Sequence, residues 1–205
     1  MDFKDLFFSF LTSCILFIRR SLFLIIAPYK TMRKIARDED LIQPILILGL
    51  ILIYFFFAGS LRPHVYHPII LFGVTLINLV LTILFFAILR LVFLSKKKVN
   101  LRPFFILFTY ALIPTLIWFL VNSFLFRLLP PPRTFSLLGR GFSLIYISFS
   151  IAVLFWKIII TYLAIRYSTT FTFFRILYSS LLYLLIVIPY SVLLYSFGLF
   201  RIPFL

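Results

Sequence analysis

From Leu41 onward the chain alternates long apolar stretches with short basic or proline-bearing ones. Five of the apolar stretches, about 41–58, 68–94, 104–127, 142–165 and 172–199, come near or exceed the roughly 20 residues that a helix needs to cross a bilayer. Proline cannot continue a helix without losing a backbone hydrogen bond, so it marks the joints. Residues 60–68 hold Pro63 and two histidines, residues 95–103 hold Lys96, Lys97 and Lys98, and Pro130, Pro131 and Pro132 close the third stretch. Only residues 166–171 are lightly marked, by Ser168, Thr169 and Thr170. Pro44, Pro114 and Pro189 fall within spans and are expected to kink them. The pattern predicts an all-α integral membrane protein whose residues 41–205 form one five-helix transmembrane bundle, with no linker and no repeat.

Residues 1–40 follow a different pattern. The apolar run at 6–18 is too short to span and is followed by Arg19 and Arg20, which would each cost about 2.5–3.5 kcal/mol at the centre of a membrane helix. Asp2, Asp5 and the two arginines also break the layout of a cleavable secretory leader. Residues 3–27 are therefore expected to lie in the membrane interface as one or two helices, with a shallow re-entrant hairpin as the alternative. Lys30, Arg33, Lys34 and Arg37 follow, and then Asp38, Glu39 and Asp40, placed to cap the amides at the start of the first span.

Polar residues inside the spans recur at helical spacing. Thr75, Asn78 and Thr82 share a face of the second span; Ala111, Thr115, Trp118 and Asn122 share one on the third. On the fourth, Ser143, Tyr146, Ser150, Lys157, Thr161 and Ala164 form a stripe, and Ser180, Tyr183 and Ser191 do so on the fifth. Lipid offers these groups no hydrogen-bond partner, so the faces are expected to turn inward, with Asn78, Thr115, Asn122, Ser150, Lys157 and Thr161 as bundle-interior polar residues.

Composition sharpens this picture. Of 205 residues 64% are hydrophobic, the mean hydropathy is +1.19 and the formal charge is +15, more apolar surface than a water-soluble domain of this length can bury. The five carboxylates all lie in the first forty residues. The lysines and arginines sit at the ends of apolar stretches, which points to anionic lipid and away from nucleic acid. With the N-terminus cytoplasmic, the inner segments carry fourteen of them and the outer segments five, while Lys157 is the only one well inside a span. That bias predicts an N-inside, C-outside topology, in the plasma membrane if the host is prokaryotic.

Candidate chemistry is sparse. Lys157 has no acid in the membrane region to pair with, and its stem is long enough to snorkel to the headgroups. His64 and His67 have no thiol or carboxylate beside them, short of the three protein ligands that zinc normally takes. Cys14 stands alone. Gly139, Arg140 and Gly141 read as a turn, without the longer glycine pattern that cradles phosphate. No catalytic residue, metal or cofactor is expected. Lys30, Arg33, Lys34, Arg37, Lys96, Lys97 and Lys98 form a basic surface suited to anionic headgroups, at about 1 kcal/mol per residue near the membrane.

Three stretches resemble the Yip family, the Ypt/Rab-interacting membrane proteins. APYKTMRKIARDEDLIQPILILGLIL at 27–52 is similar to the family's opening, a proline and a basic amphipathic stretch leading through an acidic bend into the first span. FTYALIPTLIWFL at 108–120 resembles its aromatic-small-x-x-proline pattern, and LFWKIIITYLAIRYSTTFTFFRIL at 154–177 its tryptophan-led helix, polar turn and fifth span. The resemblance implies a membrane protein whose eukaryotic relatives act in vesicle traffic and membrane shaping through small GTPases and partner membrane proteins. The apolar N-terminal segment differs from the long polar region that those relatives use, so a Rab-type contact is not expected here.

Together these readings lead us to expect a non-enzymatic organiser of membrane or membrane-protein assemblies. Its partners would be the anionic bilayer and other membrane proteins or further copies of itself. A small-solute or anion permeation protein lined by the Lys157 stripe, and a lipid-handling enzyme or flippase, are the alternatives.

Overall fold

The computed structural model describes residues 3–38, 40–61, 66–94, 100–128 and 137–199, with side chains described outside 3–10, 126 and 137–140. Among the described residues there are eight α-helices and no strand. They are α1 (Phe3–Ile26), α2 (Pro28–Asp38), α3 (Ile42–Leu61), α4 (Pro68–Leu94), α5 (Arg102–Tyr110), α6 (Ile113–Leu128), α7 (Leu137–Thr169) and α8 (Phe173–Ser196).

Five spans are long and apolar enough to cross a membrane: Ile42–Leu61, Pro68–Leu94, Arg102–Leu125, Gly141–Thr169 and Phe173–Ser196. The chain is a multi-pass membrane protein built as an all-helical bundle. Alternating spans place the starts of α3, α5 and α8 and the ends of α4 and α7 at one end of the bundle, here called the basic end. At that end the Arg90 guanidinium of α4 donates to the Ser168 carbonyl of α7 at 2.7 Å and sits over the Phe104 ring of α5. At the far end the Tyr66 hydroxyl donates to the Phe197 carbonyl beyond α8 at 2.9 Å.

The third span is the centre of the bundle. Some 61% of its most apolar window is buried, against 33% for α3, 22% for α4 and 11% each for α7 and α8. It is also two helices where the sequence predicts one. Pro114 has no N–H, so the hydrogen bond to the Tyr110 carbonyl is lost. The chain then turns through Ala111 and Leu112, whose amides reach back to the carbonyls of Leu107 and Thr109 at 3.1 Å each. α5 packs on α7, α3, α2 and α4, α6 on α7 and α3, while α8 rests mainly on α7 and α4.

Several expected boundaries move. Pro44 occupies the third position of α3, where a missing N–H costs nothing, so it starts the helix instead of kinking it. Gly139, Arg140 and Gly141 lie within the first turns of α7 and form no separate turn. α7 continues to Thr169 because Ser168 and Thr169 donate their hydroxyls back to the Ala164 and Ile165 carbonyls at 2.7 Å, leaving the backbone helical. Thr170 then stops it in a left-handed conformation, φ 61°, with its amide bonded to the Arg166 carbonyl at 3.0 Å. Pro189 lies inside α8. Pro130, Pro131 and Pro132 lie outside the described residues.

Residues 3–26 form one helix, and α2 is a second, separated from it by Ala27. Pro28 opens α2 at the position where proline is favoured. The two are tied end to end: the Thr31 hydroxyl lies 2.9 Å from the Ala27 carbonyl and 3.2 Å from that of Phe23. The Trp156 indole of α7 donates to the Leu24 carbonyl at 3.1 Å, satisfying one of the acceptors that the end of α1 leaves open. Leu24, Met32 and Ile35 are fully buried in the same cluster as Ile47, Leu107, Tyr110 and Ile160, so the N-terminal helices share the core of the bundle.

Candidate functional site

The described polar chemistry concentrates where α1 and α2 meet the basic end. Arg20 comes from the largely apolar α1 and is 7% exposed. A buried guanidinium is tolerated only when its donors are matched, and here they are. Its Nη1 donates to Gln43 Oε1 at 2.8 Å, and its Nη2 makes a charged hydrogen bond to Asp38 Oδ2 at the end of α2. That is the only ion pair among the described residues.

Gln43, 1% exposed, is the hub. Its Oε1 also accepts from the hydroxyl of Tyr110, which is 0% exposed, and its Nε2 donates to Asp40 Oδ2 at 2.8 Å. Asp40 Oδ2 accepts in addition from Ser13 of α1 at 3.1 Å, and its Oδ1 takes the Ile42 amide at 2.9 Å. One layer of side chains therefore joins α1, α2, α3 and α5. Two negative charges and one positive charge are spread over an amide and a phenol, every contact is satisfied, and the arrangement holds helices together.

The sequence placed Asp38, Glu39 and Asp40 together as caps. Asp40 does receive the Ile42 amide, whereas Asp38 pairs with Arg20, a correction that follows from α2 ending at Asp38 and turning its carboxylate toward α1. Glu39 lies outside the described residues. Arg20, Gln43 and Tyr110 were not singled out as a group. The available signal was the arginine and the glutamine themselves, each expensive inside apolar sequence unless something meets it.

α2 carries the basic residues as one face. Thr31, Met32 and Ile35 are buried against the bundle while Lys30, Arg33, Lys34 and Arg37 are all exposed, at the i, i+3, i+4, i+7 spacing of a helix face. Tyr29, one turn before Arg33, packs its ring 5.8 Å from that of Tyr167 on α7, and the Arg166 guanidinium lies 5.9 Å from the Tyr29 ring centre. The Tyr29 phenol is held below its ordinary pKa by the Tyr167 hydroxyl first, then by the positive charge of Arg166 and of Arg33. Lys96, Lys97 and Lys98 lie outside the described residues.

Of the six expected interior polar residues, three, Asn78, Asn122 and Ser150, meet partners across helices. The Trp118 indole donates to Ser150 Oγ at 3.1 Å and the Tyr146 hydroxyl to Asn122 Oδ1 at 2.6 Å, so the stripes of the third and fourth spans face each other. The Tyr190 hydroxyl donates to Asn78 Oδ1 at 2.8 Å, and one turn away Thr82 and Tyr183 pair their hydroxyls at 2.7 Å. Thr115 is buried at 8% exposure with no hydrogen-bond partner for its hydroxyl among the described residues. Lys157 and Thr161 are half-buried, and Lys157 has no ion-pair partner among the described residues.

His67 lies at the head of α4, where its Nδ1 is 3.4 Å from the Ile69 amide and its ring meets Phe56 edge-on, while His64 lies outside the described residues. Cys14 is a half-buried free thiol. No group of three metal-ligating side chains occurs among the described residues.

Comparison with protein-family models, with curated proteins and with solved structures finds no match to this chain. The likeness to the Yip family therefore rests on the three sequence stretches alone, and what the chain establishes by itself is a five-span, all-helical membrane bundle with a networked basic end.

Proposed function

We propose that this protein is a non-enzymatic organiser of membrane or membrane-protein assemblies, with its basic end in the cytoplasm. The observation that carries the reading is the mounting of α2: its apolar face is buried in the bundle while Lys30, Arg33, Lys34 and Arg37 point away from it together. A rigidly held basic face at the ends of the spans attracts anionic lipid, and about 1 kcal/mol per residue makes four such charges a strong preference. The long exposed faces of α7 and α8 provide the surface for partner membrane proteins or a second copy. The Yip likeness of residues 27–52, 108–120 and 154–177 belongs to this proposal, as does the N-inside orientation.

The test is crosslinking in native membranes followed by identification of co-purified proteins and lipids, for wild type and for a Lys30→Gln, Arg33→Gln, Lys34→Gln, Arg37→Gln variant. A reproducible set of membrane-protein partners, with anionic lipid depleted in the variant, is the expected result. Robust hydrolase or transferase activity in the purified protein, abolished by changing one polar span residue, would overturn it.

Lys157 favours a second reading, permeation of a small solute or anion. The pairs Asn122 with Tyr146 and Trp118 with Ser150 set an antiparallel register that brings Lys157 level with the broken segment at Ala111 and Leu112, where Pro114 leaves the Tyr110 carbonyl without its helical donor. Proteoliposome flux that disappears in Lys157→Ala would support this reading over the first.

A further inference from the structure

The seam between α2 and α7 holds more positive charge than the fold needs. Arg166 lies in the last turn of α7, Arg33 one turn along α2 from Tyr29, and both guanidinium groups are exposed. The carboxylates with described side chains are engaged elsewhere, Asp38 by Arg20 and Asp40 by Ser13, Gln43 and the Ile42 amide. The floor of the seam is the Tyr29 and Tyr167 ring pair, with Arg166 stacked over Tyr29 and donating to the Tyr162 hydroxyl at 3.3 Å. α2 is fixed there by the burial of Thr31, Met32 and Ile35 and Arg166 is held over the Tyr29 ring, so the basic seam is in place before any ligand arrives. We propose that Arg33 and Arg166, with the Tyr29 hydroxyl, form a discrete site for the phosphate of an anionic glycerophospholipid headgroup.

Three physical points support that occupant. Guanidinium forks match phosphate oxygens bidentately, and Arg33 and Arg166 flank Tyr29 with no ion pair of their own among the described residues, which leaves donors for an external anion. Arg166 and Arg33 also both act to hold the Tyr29 phenol below its ordinary pKa, after the larger effect of the Tyr167 hydroxyl, as positive potential at the seam requires. The depth is that of headgroups, because Arg166 stands three residues before the end of the Gly141–Thr169 span. A lipid brings its phosphate to that depth by inserting its chains beside α7, whose outer side chains Ile158 and Ile159 are exposed. A soluble phosphate or an acidic peptide has no such anchor.

This inference rests on the proposed lipid contact of the basic end, and the experiment separates the two. Full-length protein in nanodiscs or micelles is titrated with phosphatidylglycerol, and retained lipid is counted by native mass spectrometry. The expected result is one tightly held phosphatidylglycerol whose dissociation constant rises about tenfold in Arg166→Gln and in Arg33→Gln. Lys30→Gln with Lys34→Gln and Arg37→Gln should strip the loosely held anionic lipid and leave that one molecule in place. Arg166→Lys, which keeps the charge at the end of α7, serves as the folding control and should recover part of the affinity. Loss of the tight lipid in the triple variant, with Arg166→Gln and Arg33→Gln unchanged, would overturn this site while leaving the general lipid contact standing. Equal retention of phosphatidylcholine by every form would overturn both. Glycerol 3-phosphate or an acidic peptide binding as tightly as the lipid would overturn the lipid assignment.

Discussion

The third span and the fifth have nearly the same length and hydropathy, 24 residues each with mean values of 2.3 and 2.0, yet 61% of one window is buried and only 11% of the other. The difference lies in what surrounds them. Around α5 the chain brings α2, α3, α4 and α7, and one layer of buried hydrogen bonds runs from Arg20 and Asp38 through Gln43 to Tyr110. α8 rests against α4 and α7, and its two tyrosine hydroxyl contacts, Tyr183 with Thr82 and Tyr190 with Asn78, both go to α4. Hydropathy places a helix in the membrane. Matched polar side chains and close packing decide its position in the bundle, because lipid competes for apolar surface but supplies no hydrogen bonds.

The largest effect expected is at Arg20. Arg20→Ala leaves the partly exposed Asp38 without its cation and removes one donor from the buried Gln43, and losing a hydrogen bond to a charged group costs about 1.5–3 kcal/mol. Unfolding in mixed micelles should register that loss, together with protease access to the joint between α1 and α2. A sharper version replaces both ends, Arg20→Met with Asp38→Leu, and is expected to restore most of the stability because neither member of the pair is left alone and Asp40 keeps its own donors from Ser13, Gln43 and Ile42. A loss below about 1 kcal/mol in the single variant would mean that the network adds little to the contrast between the two regions.

Next in size is Tyr110→Phe, within the same layer. Gln43 Oε1 keeps Arg20 as a donor, so the cost should fall to about 1.5 kcal/mol, that of one hydrogen bond to an occupied acceptor. Equal losses in Tyr110→Phe and Arg20→Ala would show that the phenol, not the guanidinium, anchors the glutamine.

Much of this division could be read from the sequence, and the unread part has a physical cause. Runs of twenty apolar residues are visible without any partner, so the five spans emerged within a few residues of their bounds. The facing stripes of Trp118, Asn122, Tyr146 and Ser150 were legible because helical periodicity alone assigns a polar group to one side. The layer around Gln43 was not, since its members run from Ser13 to Tyr110 and each has a local explanation. Arg20 reads as a flank, Asp38 as a cap and Tyr110 as one aromatic among 29 phenylalanines, 11 tyrosines and 2 tryptophans. Pro114 announced a disturbance, but whether a proline bends a helix or divides it depends on the packing that holds the freed carbonyl, which in this chain comes from distant segments.

At the joint between the two regions, Thr170 adopts φ 61°, a conformation that a β-branched side chain tolerates poorly. Thr170→Gly is expected to stabilise the protein by about 1 kcal/mol, the scale of the left-handed penalty that glycine avoids. The melting temperature in detergent is the measurement. A fall in place of a rise would mean that the Thr170 hydroxyl, which donates to the Thr169 carbonyl at 2.6 Å, does more to hold the turn than its backbone costs.

The smallest effect should come from the thinly packed region itself. Tyr190→Phe removes the hydroxyl that meets Asn78 and leaves the ring, and the average interhelical hydrogen bond in a membrane is worth about 0.6 kcal/mol. Because α8 has little other contact, the loss should appear less in global unfolding than as freer separation of α8, read by crosslinking efficiency between cysteines placed at Ile77 and Tyr190 neighbours in a Cys14→Ser background. Tyr183→Phe should behave alike, and because the Thr82 hydroxyl donates to the Asn78 carbonyl at 2.7 Å the two pairs form one network, so the double variant should depart from the sum of the two losses. A Tyr190→Phe cost near that of Arg20→Ala would erase the contrast between the two regions, because a single phenol would then hold α8 as firmly as the buried network holds α1 and α2.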